Sequence, residues 1–288
     1  MHTERPGPDS QTRLDDQVAL ITGGGAGIGR AIALALAEAG ANIVIADIVP
    51  ERCEETAERV SELGCQALPR PTDMCDPDQA AAMVDDAKAR FGRIDILVNN
   101  VGGVAPRPFL QQSVRSWRRQ IDLNLVSMLA ATSAAAPVMI DGGRGGAIIN
   151  VASIEASRAA PNFSVYAACK AGMLNFTRTL ALELAEHNIR VNALAPDYTV
   201  TPGLRGNIKG PVDESTWMTP SPEQEDATAR RIPAGRSGID TECGQAALFL
   251  ASSMSSYVNG IVLPVDGGTW ASSGWIRNPK GQWSLTGL

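Results

Sequence analysis

Two side chains that can move a proton lie close together in the sequence. Tyr166 and Lys170 stand four residues apart in VYAACKAGM, a run of mostly small residues. If this run is helical, both side chains lie on one face, because positions i and i+4 are neighbours on a helix. A tyrosine phenol has a pKa of about 10 and is a poor acid or base at neutral pH. A nearby ammonium lowers that pKa, so the spacing predicts a general acid/base pair.

A glycine-rich turn upstream predicts a phosphate-binding site. Gly23, Gly27 and Gly29 follow the apolar run VALIT and precede an Ala/Leu-rich helical stretch over residues 30–39. Glycines in a strand-to-helix turn let the backbone approach a pyrophosphate, which the N-terminal amides of the helix then bind. A second apolar run, NIVIAD, follows, as dinucleotide binding requires. We therefore expect a dinucleotide cofactor at this turn.

The residue that ends NIVIAD predicts which dinucleotide is bound. This residue, Asp47, would accept hydrogen bonds from both hydroxyls of the adenosine ribose and repel a 2′-phosphate. Ala26 and Ile48, at positions where a basic residue would favour the phosphate, are not basic, and Arg52 lies a turn into the next predicted helix. These residues predict NAD as the cofactor, with NADP disfavoured.

Composition excludes several classes of protein. The 288 residues carry a net charge of -6 with a pI of about 5.1, which argues against a nucleic-acid partner because such partners need a basic face. No apolar run of about 18 residues suggests a membrane span. Five widely spaced cysteines without a CxxC pair, and only two histidines, predict neither disulfides nor a metal site. The polar N-terminus has no signal-peptide pattern, so a cytoplasmic protein is expected.

Apolar runs alternate with helical stretches from Val18 to the last predicted strand, GIVLPVDGG. Continuous apolar strands separated by helices indicate βαβ units. The predicted fold class is therefore α/β: a Rossmann-like, doubly wound parallel sheet of about seven strands, with helices on both faces, in a single domain. Two long helices are expected over residues 114–140 and 164–187.

Three segments depart from this alternation. Residues 1–14 are expected to form a disordered N-terminal arm before the catalytic domain, residues 15–268. Within that domain, residues 201–233 are rich in Pro, Gly and Thr, and we expect them to form a substrate lid because a connection that long usually has a function. The tail, residues 269–288, carries three tryptophans. We expect the tail to pack on the core or on a neighbouring subunit, because such side chains are costly to expose.

The glycine spacing, TGxxxGxG, and the YxxxK pair together resemble the short-chain dehydrogenase/reductase family over residues 15–268. The resemblance implies that Ser153, at the end of GAIINVAS, orients the substrate oxygen, and that Asn124 holds a water linking Lys170 to solvent. Tyr166 would take or return the alcohol proton, and Lys170 would also bind the nicotinamide ribose. Further cofactor contacts implied by the family's motifs are Ile28, Asp73, Met74, Asn100, Gly102, Pro196, Thr199 and Thr201.

Four positions depart from the family's pattern. Thr199 stands where isoleucine or valine is common. Asp197 replaces a glycine in the segment expected to bind the nicotinamide carboxamide. The family's motif therefore does not predict the local backbone conformation at this residue. Val101 replaces an alanine in NNVGG. Cys169 replaces a common serine, and we expect an inert, buried thiol there.

These residues together predict an NAD-dependent oxidoreductase that transfers a hydride between nicotinamide and a secondary alcohol or ketone. The candidate substrate walls are mostly apolar and favour a moderately hydrophobic, cyclic or steroid-like molecule: Val104, Phe109, Ile154, Phe163, Tyr198, Trp217 and Met218. Two alternatives stay open. One is an NADPH-dependent ketoacyl-type reductase, against which Asp47 and the acidic charge argue; the other is a non-catalytic dinucleotide-binding sensor. The resemblance also implies a homotetramer, joined through the two long helices and the last strand.

Overall fold

A seven-stranded parallel sheet forms the centre of the computed structural model, which describes residues 8–286. The strands are β1 Val18–Thr22, β2 Asn42–Asp47, β3 Ala67–Pro71, β4 Ile96–Asn99, β5 Gly146–Val151, β6 Ile189–Pro196, β7 Thr199–Val200, β8 Gly238–Ile239, β9 Val262–Val265, β10 Ile276–Arg277 and β11 Trp283–Ser284. The sheet has the order β3-β2-β1-β4-β5-β6-β9, and its strand pairs are parallel. Strand β7 pairs with β8, and β10 with β11. The predicted sheet is therefore confirmed.

Helices cover both faces of this sheet. They are α1 Pro8–Thr12, α2 Gly27–Glu38, α3 Pro50–Glu62, α4 Pro77–Phe91, α5 Val114–Ile121, α6 Ser127–Gly142, α7 Ser164–Glu183, α8 Pro222–Arg231, α9 Asp240–Ala251 and α10 Thr269–Ser272. Helices α2, α3 and α9 contribute to the core on one face, and α4, α6 and the end of α7 to the core on the other. The single, doubly wound domain is therefore confirmed.

The burial of β1 shows why its sequence is apolar throughout. Successive side chains of a strand point to opposite faces. Leu20 accordingly packs in the cluster with α4 and α6, while Ile21 packs in the cluster with α2 and α9, and both are fully buried. A strand covered on both faces needs apolar residues at every position, which accounts for VALIT.

The strand order reverses beside β1, and this reversal positions the site. Strand β1 lies between β2 and β4, so the connections on its two sides leave in opposite directions. Ligands of open α/β sheets bind in the crevice at the carboxyl ends of the strands where the order reverses. At this edge Thr22 links the end of β1 to the segment after β4. Its Oγ1 accepts hydrogen bonds from the backbone amides of Asn100, at 3.0 Å, and Val101, at 3.2 Å.

The N-terminal arm differs from its expected form, and the lid and the tail contain regular elements. Residues 1–7 of the predicted disordered arm lie outside the described residues, but Pro8–Thr12 forms α1 and Leu14 is only 1% exposed. An arm that is disordered to residue 14 is therefore wrong, because Leu14 is part of the core. Residues 201–233 contain a regular helix, α8, with a capping box at Ser221. The tail forms the β10–β11 hairpin, in which Arg277 donates to Pro233 O at 3.4 Å, so it packs on the end of the lid.

One helical stretch, Val114–Gly142, is long and apolar enough to cross a membrane. The sequence was expected to contain no such stretch. This observation is weak evidence for a membrane protein, because the core helix of a soluble protein passes the same test. Ala131, Ala135 and Met139 of this stretch are buried in the cluster that α4 also supplies. We therefore assign this stretch to the core that covers one face of the sheet.

The C-terminus of α9 is capped by the half-buried guanidinium of Arg190, a residue of β6. Removal of this guanidinium should destabilise the fold. Arg190 donates to the carbonyls of Leu250, Ala251 and Ser252 and to Ser255 Oγ, at 2.7 to 3.2 Å. A cation at a helix C-terminus interacts favourably with the helix dipole, and hydrogen bonds from charged groups are the stronger ones. We expect Arg190→Met to lower the free energy of unfolding by about 2 kcal/mol, measured by urea denaturation.

Lys88 provides the matched control for that variant. It is an exposed cation in the last turn of α4. Lys88→Met should change the free energy of unfolding by less than about 0.5 kcal/mol, as is usual for surface substitutions. Equal effects of the two substitutions would contradict a specific role for Arg190.

Candidate active site

Three of the four predicted catalytic residues line one cavity of about 440 Å³ at the carboxyl edge of the sheet. Ser153 follows β5, and its extended backbone lets its Oγ accept a hydrogen bond from the amide of Glu155 at 3.2 Å. Tyr166 and Lys170 follow on α7, one turn apart, as predicted. The cavity also reaches the glycine turn and Asp47, so the expected proton-transfer residues and the expected dinucleotide site share one space.

The phenol of Tyr166 is less acidic than the sequence predicts. Burial raises its pKa, a hydrogen bond with Ser153 acts in the opposite direction, and the negative charge of Glu155 adds to the rise. The sequence predicted that Lys170 would lower this pKa, which is wrong for this structure. Lys170 Nζ lies 5.9 Å from the centroid of the Tyr166 ring, and the effects that act on the pKa of this phenol are burial, the Ser153 hydrogen bond and the charge of Glu155.

Lys170 is held in place by the sheet. It is 2% exposed, and its Nζ donates to Val151 O at 2.7 Å. Burial disfavours the charged form of a lysine and lowers the pKa of Lys170 to about 8. Its ammonium is therefore poised to change charge just above neutral pH.

Asn124 lies in a π-helical turn, Asp122–Val126, that joins α5 to α6. Its Nδ2 donates to Gly103 O and to Gln120 O, both at 2.9 Å, and its Oδ1 accepts from Gly103 N at 2.9 Å. Turns of this type are frequent at functional sites. The amide thus fixes the backbone of Gly103, while a Cβ on Gly102 would come within 2.9 Å of Asn124 Oδ1 and 3.1 Å of Lys170 Nζ. Asn124 and Lys170 therefore flank Gly102.

The glycine turn has the close backbone approach that its spacing predicts. Gly23 has a φ of 65°, which favours glycine, and a Cβ on Gly29 would lie 2.0 Å from Gly23 O. Asn100 was predicted as a cofactor contact. It lines the cavity, and its Nδ2 also donates to Thr22 O and Gly23 O, at 3.1 and 3.0 Å. The turn can therefore be this tight only because Gly29 has no side chain, and Asn100 holds its shape.

Sequence reasoning missed Arg30 in this turn. The side chain is 7% exposed; its Nε and one terminal nitrogen donate to Gly25 O at 2.9 and 2.5 Å, and its terminal nitrogens pair with Glu55. Arg30 therefore ties the glycine turn to α3. An arginine inside the helix after a glycine turn was the available signal, but its partners are distant in sequence.

The adenosine end of the cavity carries the predicted acids. Asp47 is 9% exposed, and its carboxylate accepts hydrogen bonds from Gly25 N at 3.1 Å and Val49 N at 3.0 Å. Asp73 lines the same cavity, although its Oδ1 accepts from Cys75 N at 2.9 Å. The cavity lining includes these predicted cofactor residues: Gly23, Gly27, Ile28, Asp47, Asp73, Met74, Asn100, Gly102, Pro196 and Thr201.

Two predicted cofactor residues, Gly29 and Thr199, do not line this cavity. Gly29 lies against Gly23 O inside the turn, whereas Thr199 faces elsewhere. It is in β7, its Oγ1 donates to Asp197 O at 3.3 Å, and it lines a second cavity of about 410 Å³. Asp197 itself, where the family has glycine, forms ion pairs with Arg231 at 3.3 Å and Arg158 at 3.7 Å. These ion pairs link the end of α8 to the loop after Ser153. They hold the backbone at Asp197 in one position, where the glycine of the family would leave it more conformational freedom.

The predicted substrate walls are not brought together. Ile154 is in the core at 1% exposed, Met218 is 63% exposed, and Tyr198 lines the second cavity. Phe163 packs edge-on against Tyr166, with ring centroids 6.3 Å apart, and lines a third cavity of about 870 Å³ with Trp270 and the charged residues Glu155 and Arg158. Of the others, Val104 and Trp217 are partly buried and Phe109 is exposed. The space beside Phe163 and Tyr166 therefore includes charged side chains, whereas the sequence predicts mostly apolar walls.

Within residues 8–286, no cluster of three or more His, Cys, Asp or Glu side chains could hold a metal ion. The five cysteines are free. Cys169 is 3% exposed, and burial raises the pKa of its thiol, which agrees with the inert thiol expected there.

The fold and the site define an oxidoreductase that uses a nicotinamide dinucleotide. A family model described as "Enoyl-(Acyl carrier protein) reductase" matches residues 23–269. The chain belongs to the short-chain dehydrogenase/reductase family. Members transfer a hydride between NAD(H) or NADP(H) and a small alcohol or carbonyl compound.

Three known proteins show the range of this similarity. The 2-dehydro-3-deoxy-D-gluconate 5-dehydrogenase of Dickeya dadantii (strain 3937) is 39% identical over 255 residues, which is 88% of this chain and 96% of that protein. A crystal structure of 7 alpha-hydroxysteroid dehydrogenase with NADH and 7-oxo glycochenodeoxycholic acid has a TM-score of 0.83 at 35% identity, covering 92% of this chain and 98% of that one. A gluconate 5-dehydrogenase from Burkholderia cenocepacia J2315 with NADP and tartrate has a TM-score of 0.81 at 37% identity, covering 92% and 99%.

Proposed function

We propose that this protein is an NAD-preferring dehydrogenase of secondary alcohols, or reductase of the matching ketones, with Tyr166 as its general acid/base. The observation that carries the proposal is the single cavity that Ser153, Tyr166 and Lys170 share with the glycine turn and Asp47. The glycine turn beside this cavity is tight enough that a Cβ on Gly29 would meet Gly23 O, and such a turn suits the pyrophosphate of a dinucleotide. When bound, the nicotinamide supplies the hydride acceptor or donor.

The residues of the chain divide the remaining work. Ser153 orients the substrate oxygen and stabilises its partial charge. Tyr166 takes the hydroxyl proton during oxidation and returns it during reduction. Lys170 binds the nicotinamide ribose and adds a positive charge to the site. Asn124, held against Gly103, supports Lys170 and the proton path to solvent, and oxidation is the direction that NAD preference favours.

The substrate class combines apolar surface with polar groups. Phe163 and Trp270 provide the apolar part of the cavity next to Tyr166, while Glu155 and Arg158 provide charge. A cyclic secondary alcohol that carries further polar groups suits this mixture better than a purely apolar one. The sugar acid and the steroid named for the similar proteins both combine a secondary alcohol or its ketone with further polar groups, although only the steroid is cyclic.

The test is a substrate panel with NAD. Purified protein is mixed with cyclic, steroid, sugar-acid and short-chain alcohols, and NADH formation is followed by absorbance. We expect oxidation of at least one cyclic or polyhydroxy alcohol. Binding of NADH without turnover on any alcohol or ketone would instead support a sensor. Turnover of a ketoacyl thioester with NADPH alone would support the ketoacyl-type reductase.

Two further properties are part of the proposal. We propose a cytoplasmic homotetramer, because α6 and α7 are rich in small and apolar residues that suit helix–helix packing. Exposed Leu129 and Leu182 on these helices are consistent with such contacts. Light scattering should give the mass of four chains, and a stable monomer would contradict this assembly.

The raised pKa of Tyr166 predicts the pH dependence of the reaction. Oxidation needs the phenolate, whose fraction grows about tenfold per pH unit below the pKa. Its rate should therefore rise from about pH 6 to pH 8, above which Lys170, whose pKa is about 8, loses the positive charge that the proposal assigns to it. Reduction needs the phenol and should change little over the same range.

Difference ultraviolet titration of the free protein tests whether the pKa of Tyr166 is raised. Subtracting the Tyr166→Phe spectrum from that of the wild type isolates the signal of Tyr166, which should form phenolate only above its ordinary pKa of about 10. A phenolate signal centred below about pH 8 would contradict the burial effect and restore the lowering that the sequence predicts.

A further inference from the structure

Arg52 is a buried guanidinium that the catalytic proposal does not use. It lies in the first turn of α3 and is 8% exposed. Its Nε donates to Gly210 O at 2.6 Å, and one terminal nitrogen donates to Asn207 O at 2.9 Å. Among residues 8–286, no carboxylate oxygen forms an ion pair with it. The hydrogen-bond partners of this cation are thus carbonyls of the predicted lid.

These carbonyls belong to residues 201–210, which we call the strap. The strap begins over the glycine turn, because a Cβ on Gly27 would lie 3.1 Å from Thr201 Cβ, and residues 201–203 line the dinucleotide cavity. It ends at Arg52, which lines the same cavity. The predicted substrate lid therefore begins by covering the cofactor half of the site.

The end of the strap is shaped to receive Arg52. Asn207 is 9% exposed; its Nδ2 donates to Lys209 O at 3.1 Å and Pro211 O at 3.2 Å, and its Oδ1 accepts from Asp213 N at 2.9 Å. These bonds fix the turn in which the carbonyls of Asn207 and Gly210 both point to one guanidinium. A fixed turn loses less entropy when it is bound than a flexible one does.

Arg52 also lies beside the residue that is expected to bind the adenosine ribose. A Cβ on Gly25 would lie 2.7 Å from Arg52 Cβ and 2.8 Å from Asp47 Oδ2. The strap is thus fastened at the adenosine end of the cleft, the end opposite Tyr166.

We propose that Arg52 is a positioning residue that holds the strap closed across the dinucleotide and thereby sets how fast the dinucleotide leaves. The inference rests on the proposed function, because it needs a dinucleotide in this cavity. Charge-assisted hydrogen bonds to a buried guanidinium are among the strong ones, and a strap closed over a ligand must open before the ligand is released.

The test measures NADH release by stopped-flow fluorescence, with excess NAD as the displacing ligand. Arg52→Met keeps the length of the side chain but removes its donors, and we expect release at least about tenfold faster, with little change in the association rate. Arg52→Lys retains a cation with one compact donor group and should be intermediate. Arg59→Met is the matched control, because Arg59 is an exposed residue of the same helix, and its release rate should equal that of the wild type.

Hydrogen exchange supplies a second readout on the NADH complexes. Peptides that cover residues 201–213 should lose protection in Arg52→Met, while those of β1 and β4 should keep it. The proposal would be overturned if Arg52→Met released NADH at the wild-type rate and kept the wild-type protection of residues 201–213. If that variant does not fold, Arg52→Lys decides: release at the wild-type rate overturns the proposal, and faster release supports it. Failure of the wild type to bind NADH would instead refute the proposed function.

Discussion

Replacement of Tyr166 by phenylalanine should reduce turnover by about a hundredfold to ten-thousandfold and leave NADH binding nearly unchanged. General acid/base groups typically contribute factors of this size. The phenol contributes little to cofactor affinity in this proposal, because the cradle is formed by the glycine turn, Asn100 and Asp47. Turnover is measured with NAD and the best alcohol of the panel, and binding by the fluorescence of NADH.

Tyr257 offers a matched control for this substitution. Its side chain is fully exposed, and it lines a cavity with Asp95 and Arg144, away from the catalytic residues. Tyr257→Phe should therefore retain wild-type turnover. Comparable turnover in Tyr166→Phe and the wild type would remove the mechanism, whereas loss of both turnover and NADH binding would assign Tyr166 to cofactor binding rather than to proton transfer.

The central strands were predictable because their sequence follows from burial alone. Strands covered by helices on both faces need apolar residues at each position, and VALIT and NIVIAD match β1 and β2 residue for residue. The glycine turn was predictable for a local reason as well, since only glycine permits the approach of Gly29 to Gly23 O. Such features depend on neighbours in sequence.

Other parts of the site could not be predicted, because they depend on contacts between distant segments. Arg30 meets Glu55, and Arg52 meets Gly210, across 25 and 158 positions of sequence. Thr199 matches the family's spacing, yet its side chain faces another cavity because β7 pairs with β8. Spacing fixes the order of residues along the chain, but not the direction in which a side chain after a strand points.

The acidity of Tyr166 shows the same limit in electrostatic terms. The i, i+4 spacing correctly places Lys170 on the same helical face, but the balance between its charge and desolvation depends on what packs around both groups. In this structure burial has the larger effect on the phenol, and Glu155 acts in the same direction. The charged wall formed by Glu155 and Arg158 likewise arises from a loop whose sequence carries no periodic signal.

Exchange of Asp47 for alanine together with Ile48 for arginine should shift the preference from NAD to NADP by on the order of a hundredfold in the ratio of kcat/KM values. The first change removes the carboxylate that would repel a 2′-phosphate, and the second adds a donor for it. A hundredfold corresponds to about 2.8 kcal/mol of differential binding, the size expected for one lost repulsion and one new charge-assisted bond. Ile48 is 66% exposed, so arginine can replace it without disturbing the core.

Asp47→Asn separates the two effects of the carboxylate. Asp47 also accepts hydrogen bonds from Gly25 N and Val49 N, so alanine loosens the turn as well as removing charge. Asparagine keeps one acceptor oxygen and removes the charge, and we expect it to raise NADP use while losing less NAD activity than alanine does. Arg52 donates to the strap carbonyls, and we therefore expect it not to compensate a 2′-phosphate in the wild type. Wild-type protein that already favours NADPH would contradict this account of Asp47. The buried carboxylate, which is 9% exposed, would then lie beside the 2′-phosphate that it is expected to repel.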